Sequence, residues 1–200
     1  MNMRFLMLFI LSVMAVSLPA KAQAPKIGLT VTPLGENVVF VKSGLDGGPG
    51  LTGDGFYNVG LTCQFPLTKR WDLETGVEFS KHTIVISSHH VPTPLRRKEK
   101  IGFACIPVTV KMNFLKYFFV NGGCLVDLDI NASSRSLDNQ SGLGAVLGVG
   151  ARYDFNFGGT IFANPYINCH SLLHFQLDKY HERLAEIGIR FGFLFSLEKF

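Results

Sequence analysis

The stretch from Arg183 to Leu197 reads RLAEIGIRFGFLFSL. Ala185, Ile187, Ile189, Phe191, Phe193, Phe195 and Leu197 fall on one face of it. Leu184, Glu186, Gly188, Arg190, Gly192, Leu194 and Ser196 fall on the other. Alternation with a period of two is the signature of a strand with one apolar and one polar face. The run is long for a soluble strand, and about 9–11 residues suffice to cross a bilayer at a tilt. Its place near the C-terminus lets it pair back with a first strand and close a barrel.

Seven earlier stretches repeat the pattern, at 26–42, 55–65, 71–86, 101–113, 116–130, 142–155 and 160–175. The third is the clearest: Trp71, Leu73, Val77, Phe79 and Val85 oppose Asp72, Glu74, Gly76, Glu78, Ser80 and His82. Pro33, Gly35 and Asn37 predict a bulge or break in the first strand, and Pro107 a local irregularity in the fourth. The connections alternate in length. Short ones at 66–69, 113–116 and 156–159 interleave with longer ones at 43–54, 87–100, 131–141 and 176–182. That is the plan of an all-β, eight-stranded antiparallel up-and-down transmembrane β-barrel with both termini periplasmic. Phe65, Trp71, Phe114, Tyr117, Phe118, Tyr153, Phe155, Phe157, Phe193 and Phe195 gather where strands meet the short turns, as an interfacial aromatic girdle would. The polar face then points inward, and an eight-stranded barrel has just enough interior for side chains.

Residues 1–22 carry Arg4, an apolar run from Phe5 to Leu18 and an Ala20-Lys21-Ala22 end. This predicts a secretory signal peptide cleaved between Ala22 and Gln23, leaving residues 23–200 as one barrel domain. The formal net charge of +4 includes Arg4 and Lys21, so the remainder is close to neutral and no nucleic-acid partner is implied. Cys63, Cys105, Cys124 and Cys169 lie inside strands without a C-x-x-C motif and read as small buried or lipid-facing residues. Alternation puts Cys105 and Cys124 on opposite faces.

The segments IPVTVKMNF (106–114), YFFVNGG (117–123) and GLGAVLGVGARY (142–153) resemble the outer-membrane barrel domain of the porin-like, PorT-type family, an OmpA-like eight-stranded barrel. The resemblance covers nearly the whole chain after the leader. It implies an outer-membrane location and assembly by the barrel assembly machinery, with no assigned substrate. One departure is that Phe200 is out of phase with Phe191, Phe193 and Phe195, so the terminal aromatic signal shifts to Phe195.

Strand direction orders the inward groups by height. Glu74, Lys111, Arg152 and Asp154 belong near the periplasmic end, with Glu78 and Arg190 nearer the middle. Unpaired charge in a narrow interior is expensive, so these predict a paired network, either a structural plug or an ion-pair gate. His82, His170 and His174 belong near the outer end with Asp127, Asp129 and Glu186. Histidines and carboxylates together ligate zinc or copper, but strands three and seven sit nearly opposite in the ring, which favours a satisfied polar lining over a metal site. His170-Ser171 suggests a hydrolase, yet neighbouring strand residues face opposite ways, so catalysis is discounted. The 87–100 loop carries His89, His90, Arg96, Arg97, Lys98 and Lys100, suited to lipopolysaccharide phosphates or simply to solvent. The glycine-rich 44–55 loop lacks the Lys-Ser/Thr and helix of a P-loop and reads as flexible.

These readings converge on a non-enzymatic outer-membrane barrel without a cofactor or metal. Its role is structural or surface-interacting, and its partners are outer-membrane lipid, lipopolysaccharide and an unknown protein at the outer loops. A narrow porin-like channel is the main alternative, and a secreted lipocalin-like ligand binder a further one.

Overall fold

The computed structural model describes residues 24–40, 50–88, 95–130, 140–175 and 183–197. The signal-peptide segment with Ala22 and Gln23, the residues His89 and His90, and Phe200 lie outside these. So do the side chain of His174 and most of the longer connections.

The alternation expresses itself as eight strands: β1 (Lys26–Phe40), β2 (Gly50–Pro66), β3 (Trp71–Ser88), β4 (Leu95–Phe114), β5 (Phe118–Asp129), β6 (Gly142–Asp154), β7 (Gly159–His174) and β8 (Arg183–Ser196). Each pairs antiparallel with its sequence neighbours, and β8 returns to β1 to close the barrel. The closing seam runs from Lys26 opposite Ser196 to Phe40 opposite Arg183. The start of β1 and the end of β8 therefore lie together at the end that carries the tight turns.

The irregularities have local causes. The register of β1 slips between Thr32 and Gly35, around Pro33. Opposite it, β2 slips between Gly53 and Phe56, where Gly55 takes φ +90°, a conformation that L side chains rarely adopt. Pro107 has no N–H to give to β3, and the β3–β4 ladder is interrupted there without a change of register. Pro165 interrupts β6–β7 in the same way. There the Asn164 amide donates to the Val149 carbonyl at 3.1 Å, replacing the missing backbone donor.

Side chains divide as the period dictates, with the apolar set outward. Leu29, Val59, Phe79, Val108, Leu147, Ile167 and Ile187 are exposed. Glu74, Lys111, Asn164 and Arg190 are buried inside. This is the reverse of a soluble barrel. At the turn end the outward aromatics touch in series: Tyr117 stacks on Tyr153, Tyr153 meets Phe155, Phe155 stacks on Phe157, and Phe157 reaches Phe195. Cys105 is buried and Cys124 exposed, on opposite faces as alternation requires, and all four cysteines are free.

Three sequence expectations are corrected. Residues 95–100 are not loop: β3 and β4 continue their pairing to Ser88 opposite Leu95. Arg96, Arg97, Lys98 and Lys100 therefore project from a strand extension, where Lys98 pairs with Asp54 at 2.7 Å. Gly50 to Gly55 likewise belong to β2 rather than to a flexible loop. The interior is also not polar throughout. Toward the loop end it is filled by an apolar cluster of Val39, Ile84, Ile101, Phe103, Cys105 and Leu184.

Candidate functional site

The interior holds two polar clusters. The lower one begins at the turn end. Lys26 binds Asp154 at 2.7 Å and Thr160 at 2.8 Å, tying the first strand to β6 and β7. Arg152 lies 3.6 Å from Asp154 and 3.7 Å from Asp72. Asp72 in turn accepts from Gln64 and Asn113, both at 2.7 Å.

Above this layer, Glu74 receives Lys111 at 2.5 Å through one oxygen and Arg190 at 2.8 Å through the other. Arg190 also reaches Glu78 at 3.0 Å and the Asn164 carbonyl oxygen at 3.1 Å. Asn58 donates to the other oxygen of Glu78 at 2.7 Å. Two rings complete the plug, since Lys111 lies 4.7 Å from the centre of Phe119 and Arg190 5.7 Å from that of Phe162. Of the residues singled out as an interior charge network, Glu74, Glu78, Lys111 and Arg190 form one connected group, and Arg152 and Asp154 form its rim. A void beside Arg190, lined by Glu78, Thr109, Tyr166 and Asn168, measures about 10 Å³, at the lower limit for a single water.

Glu186 does not join that network. It belongs to the upper cluster, with His82, His170, Asp127 and Cys105, all 3% exposed or less. Glu186 Oε2 lies 3.3 Å from His170 Nε2 and 3.5 Å from His82 Nε2. His170 Nδ1 lies 3.1 Å from Asp127 Oδ1. The rings of Phe56 and Phe103 enclose the histidines, with Phe56 stacked on His82 at 5.0 Å and Phe103 on His170 at 5.5 Å. Asp129 stands apart, its backbone N–H donating to Ser141 Oγ.

This cluster overturns the expectation that β3 and β7 are too far apart to share a site. They are remote around the ring, but the lumen is narrow enough for side chains to meet across it. His82 and His170 have ring centres 5.8 Å apart. Two trios, His82–His170–Glu186 and Cys105–Asp127–His170, each have metal-binding atoms within 4.8 Å of one another.

A second correction concerns His170-Ser171. Both side chains are buried in the interior, because the alternation fails at this point. Ser171 takes φ 52°, and the facing strand slips register between Leu143 and Ala145. Leu172 and Leu173 both emerge on the outside as a result. The Ser171 N–H donates to Asp127 Oδ2 at 3.3 Å, which helps hold that carboxylate beside His170.

No protein-family model matches the chain, and no curated protein matches it. Among solved structures it is similar to the outer membrane protein OprG from Pseudomonas aeruginosa, at 14% identity over 88% of this chain and 97% of that one, with a TM-score of 0.47. It is also similar to the outer membrane protein AlkL, at 10% identity over 88% and 92%, TM-score 0.42. A third is Ail, the attachment invasion locus protein of Yersinia pestis, at 13% identity over 86% and 99%, TM-score 0.36.

Proposed function

We propose that this chain is an integral outer-membrane β-barrel with a structural or surface-interacting role, a closed interior and no catalytic activity. The observation that carries the reading is the outward face. On every strand it is predominantly apolar from the aromatic girdle at the turn end to the level of Lys81, Lys100 and Arg183, with exposed Glu36 on β1 a charged exception and Thr75 on β3 a polar one. Such a surface gains nothing in water, and its exposure there would drive aggregation. In a bilayer it is the face that lipid requires, with all backbone groups paired inside a closed barrel.

The turn end faces the periplasm in this reading, as short turns do in such barrels. The β3–β4 extension then stands at the cell surface, where Arg96, Arg97, Lys98 and Lys100 meet lipopolysaccharide phosphates. The loop end is the surface for a protein partner. Insertion proceeds through the barrel assembly machinery, with the outward Phe191, Phe193 and Phe195 of β8 as the segment read. A filled interior argues against both a standing channel and a lipocalin-like ligand cavity.

Cell fractionation with gel mobility before and after boiling tests the reading. The expected result is a protein in the outer-membrane fraction whose unboiled form migrates differently from the boiled one. A soluble periplasmic protein without a mobility shift would overturn it. Planar-bilayer recordings of the refolded protein should show no reproducible steps, whereas steady conductance would favour the narrow channel.

A further inference from the structure

We propose that the upper cluster is a buried binding site for a divalent transition metal of the zinc class, held by His82 Nε2, His170 Nε2 and Glu186 Oε2. The inference concerns the folded barrel and does not depend on the proposed role at the cell surface.

The spacing of the ligand atoms is the first ground. A tetrahedral zinc ion with bonds of about 2.0–2.1 Å separates its ligands by about 3.3–3.4 Å. Glu186 Oε2 lies 3.3 Å from His170 Nε2 and 3.5 Å from His82 Nε2. These two distances match tetrahedron edges, and the third separation, between the histidine nitrogens, is within 4.8 Å. Two imidazoles and one carboxylate form a donor set that zinc accepts, leaving a fourth position open. Ser80 Oγ, 3.0 Å from His82 Nε2, supplies that fourth oxygen or holds a water that does.

The second ground is the surrounding shell. A metal-bound histidine usually gives its other N–H to a carboxylate, which fixes the ring and strengthens it as a ligand. His170 Nδ1 faces Asp127 Oδ1 at 3.1 Å, and Asp127 is itself fixed by the Ser171 N–H. The non-ligating oxygen of Glu186 accepts from Asn168 at 2.6 Å. Asp127 and Asn168 are thus positioning residues for His170 and Glu186.

The third ground is unmet polarity. His170 Nε2, His82 Nδ1 and Glu186 Oε2 are buried with no hydrogen-bond partner of adequate geometry, and His170 Nδ1 and Asp127 Oδ1, 3.1 Å apart, are close without being aligned as a hydrogen bond. Orphaned polar atoms in a dry interior each cost about 1–3 kcal/mol. Among the described residues, Asp127 and Glu186 form ion pairs only with the two histidines. With neutral imidazoles, two carboxylate charges stand in an apolar chamber. A divalent cation neutralises both and takes the lone pairs of Glu186 and His170. The lower network also holds atoms without a hydrogen-bond partner, Glu74 Oε2, Arg190 Nε and Arg152 Nε among them, but its charge is balanced, because Arg190 and Lys111 stand against Glu74 and Glu78.

The Cys105–Asp127–His170 trio is the competing metal geometry, and a protonated His170 bridging Asp127 and Glu186 is the competing metal-free arrangement. One experiment separates all three. The full-length protein is refolded from denaturant into detergent with one equivalent of Co²⁺ or Zn²⁺, desalted, and analysed for bound metal and visible absorption. The expected result is one ion per chain and tetrahedral Co²⁺ bands without a thiolate charge-transfer band.

Glu186→Gln keeps the shape and a hydrogen-bond acceptor, and it should weaken binding by about 100-fold or more, as should His82→Ala. Asp127→Asn should retain the ion with about 10–100-fold lower affinity, and Cys105→Ala should bind as the parent does. A folded parent barrel that retains no metal would overturn the proposal in favour of the bridged histidine. A thiolate band, or binding lost in Cys105→Ala and kept in His82→Ala, would overturn it in favour of the cysteine trio. The parent's own spectrum decides the matter even where a variant fails to fold.

Discussion

Arg190 is the residue on which the interior turns. Its guanidinium bridges Glu74, Glu78 and Asn164, so one cation holds strands β3 and β7 against β8. Removing it leaves Glu78 without its cation beside a void of about 10 Å³, at the lower limit for a single water. Breaking a buried pair from one side costs about 3–5 kcal/mol, whereas replacing both partners is often neutral. Arg190→Met should therefore destabilise the barrel by about that amount in urea titrations in detergent. The double change Glu78→Gln with Arg190→Met should recover most of the loss, since Lys111 still serves Glu74. A single-variant loss below about 1 kcal/mol would mean the network fills space without holding the fold. The inward direction of these residues was legible from the period of two alone. Their partners were not, because which inward side chains meet depends on the stagger of strands around the ring. Glu186 shows the gap: it shares a face with Arg190 on β8, yet it answers to histidines from β3 and β7.

At the scale of the element, closure depends on β1 approaching β8 closely. Gly28 sits opposite Leu194 on this seam, and a Cβ there would overlap the Phe193 carbonyl. Gly122 faces outward between β4 and β6 and has room, the nearest atom being the Val146 carbonyl oxygen at 3.4 Å. Gly28→Val should abolish the compact, heat-modifiable form of the refolded protein, while Gly122→Ala should leave it intact. Equal refolding yields for both would show that the seam tolerates a wider spacing. The eight strands were legible because each carries a long run of alternation, and the break in β1 because Pro33 cannot donate to a ladder. The bulge at Ser171 was not. It carries no glycine or proline to mark it, and it reverses the facing of the residues on which the hydrolase reading had been dismissed. The extension of β3 and β4 was also hidden, since a run of basic residues in a paired strand looks the same as one in a loop.

For the whole molecule, the decisive property is which side of the wall is apolar. Val108 lies on the outward face of β4, about midway between Phe114 in the girdle and Lys100 at the loop end. If the wall is set in lipid, an arginine there sits near the bilayer midplane and costs about 2–4 kcal/mol. Thr52, exposed on β2 opposite Val85 near the loop end, lies toward the interface, where the same change costs about 0–1 kcal/mol. Unfolding titrations of Val108→Arg and Thr52→Arg in phospholipid vesicles should therefore differ by roughly 1–4 kcal/mol. A barrel exposed to water would show no such difference, since an arginine on a wet surface perturbs stability by less than about 0.5 kcal/mol wherever it is placed. The comparison reads depth directly, because both substitutions add the same charge to the same kind of outward strand position.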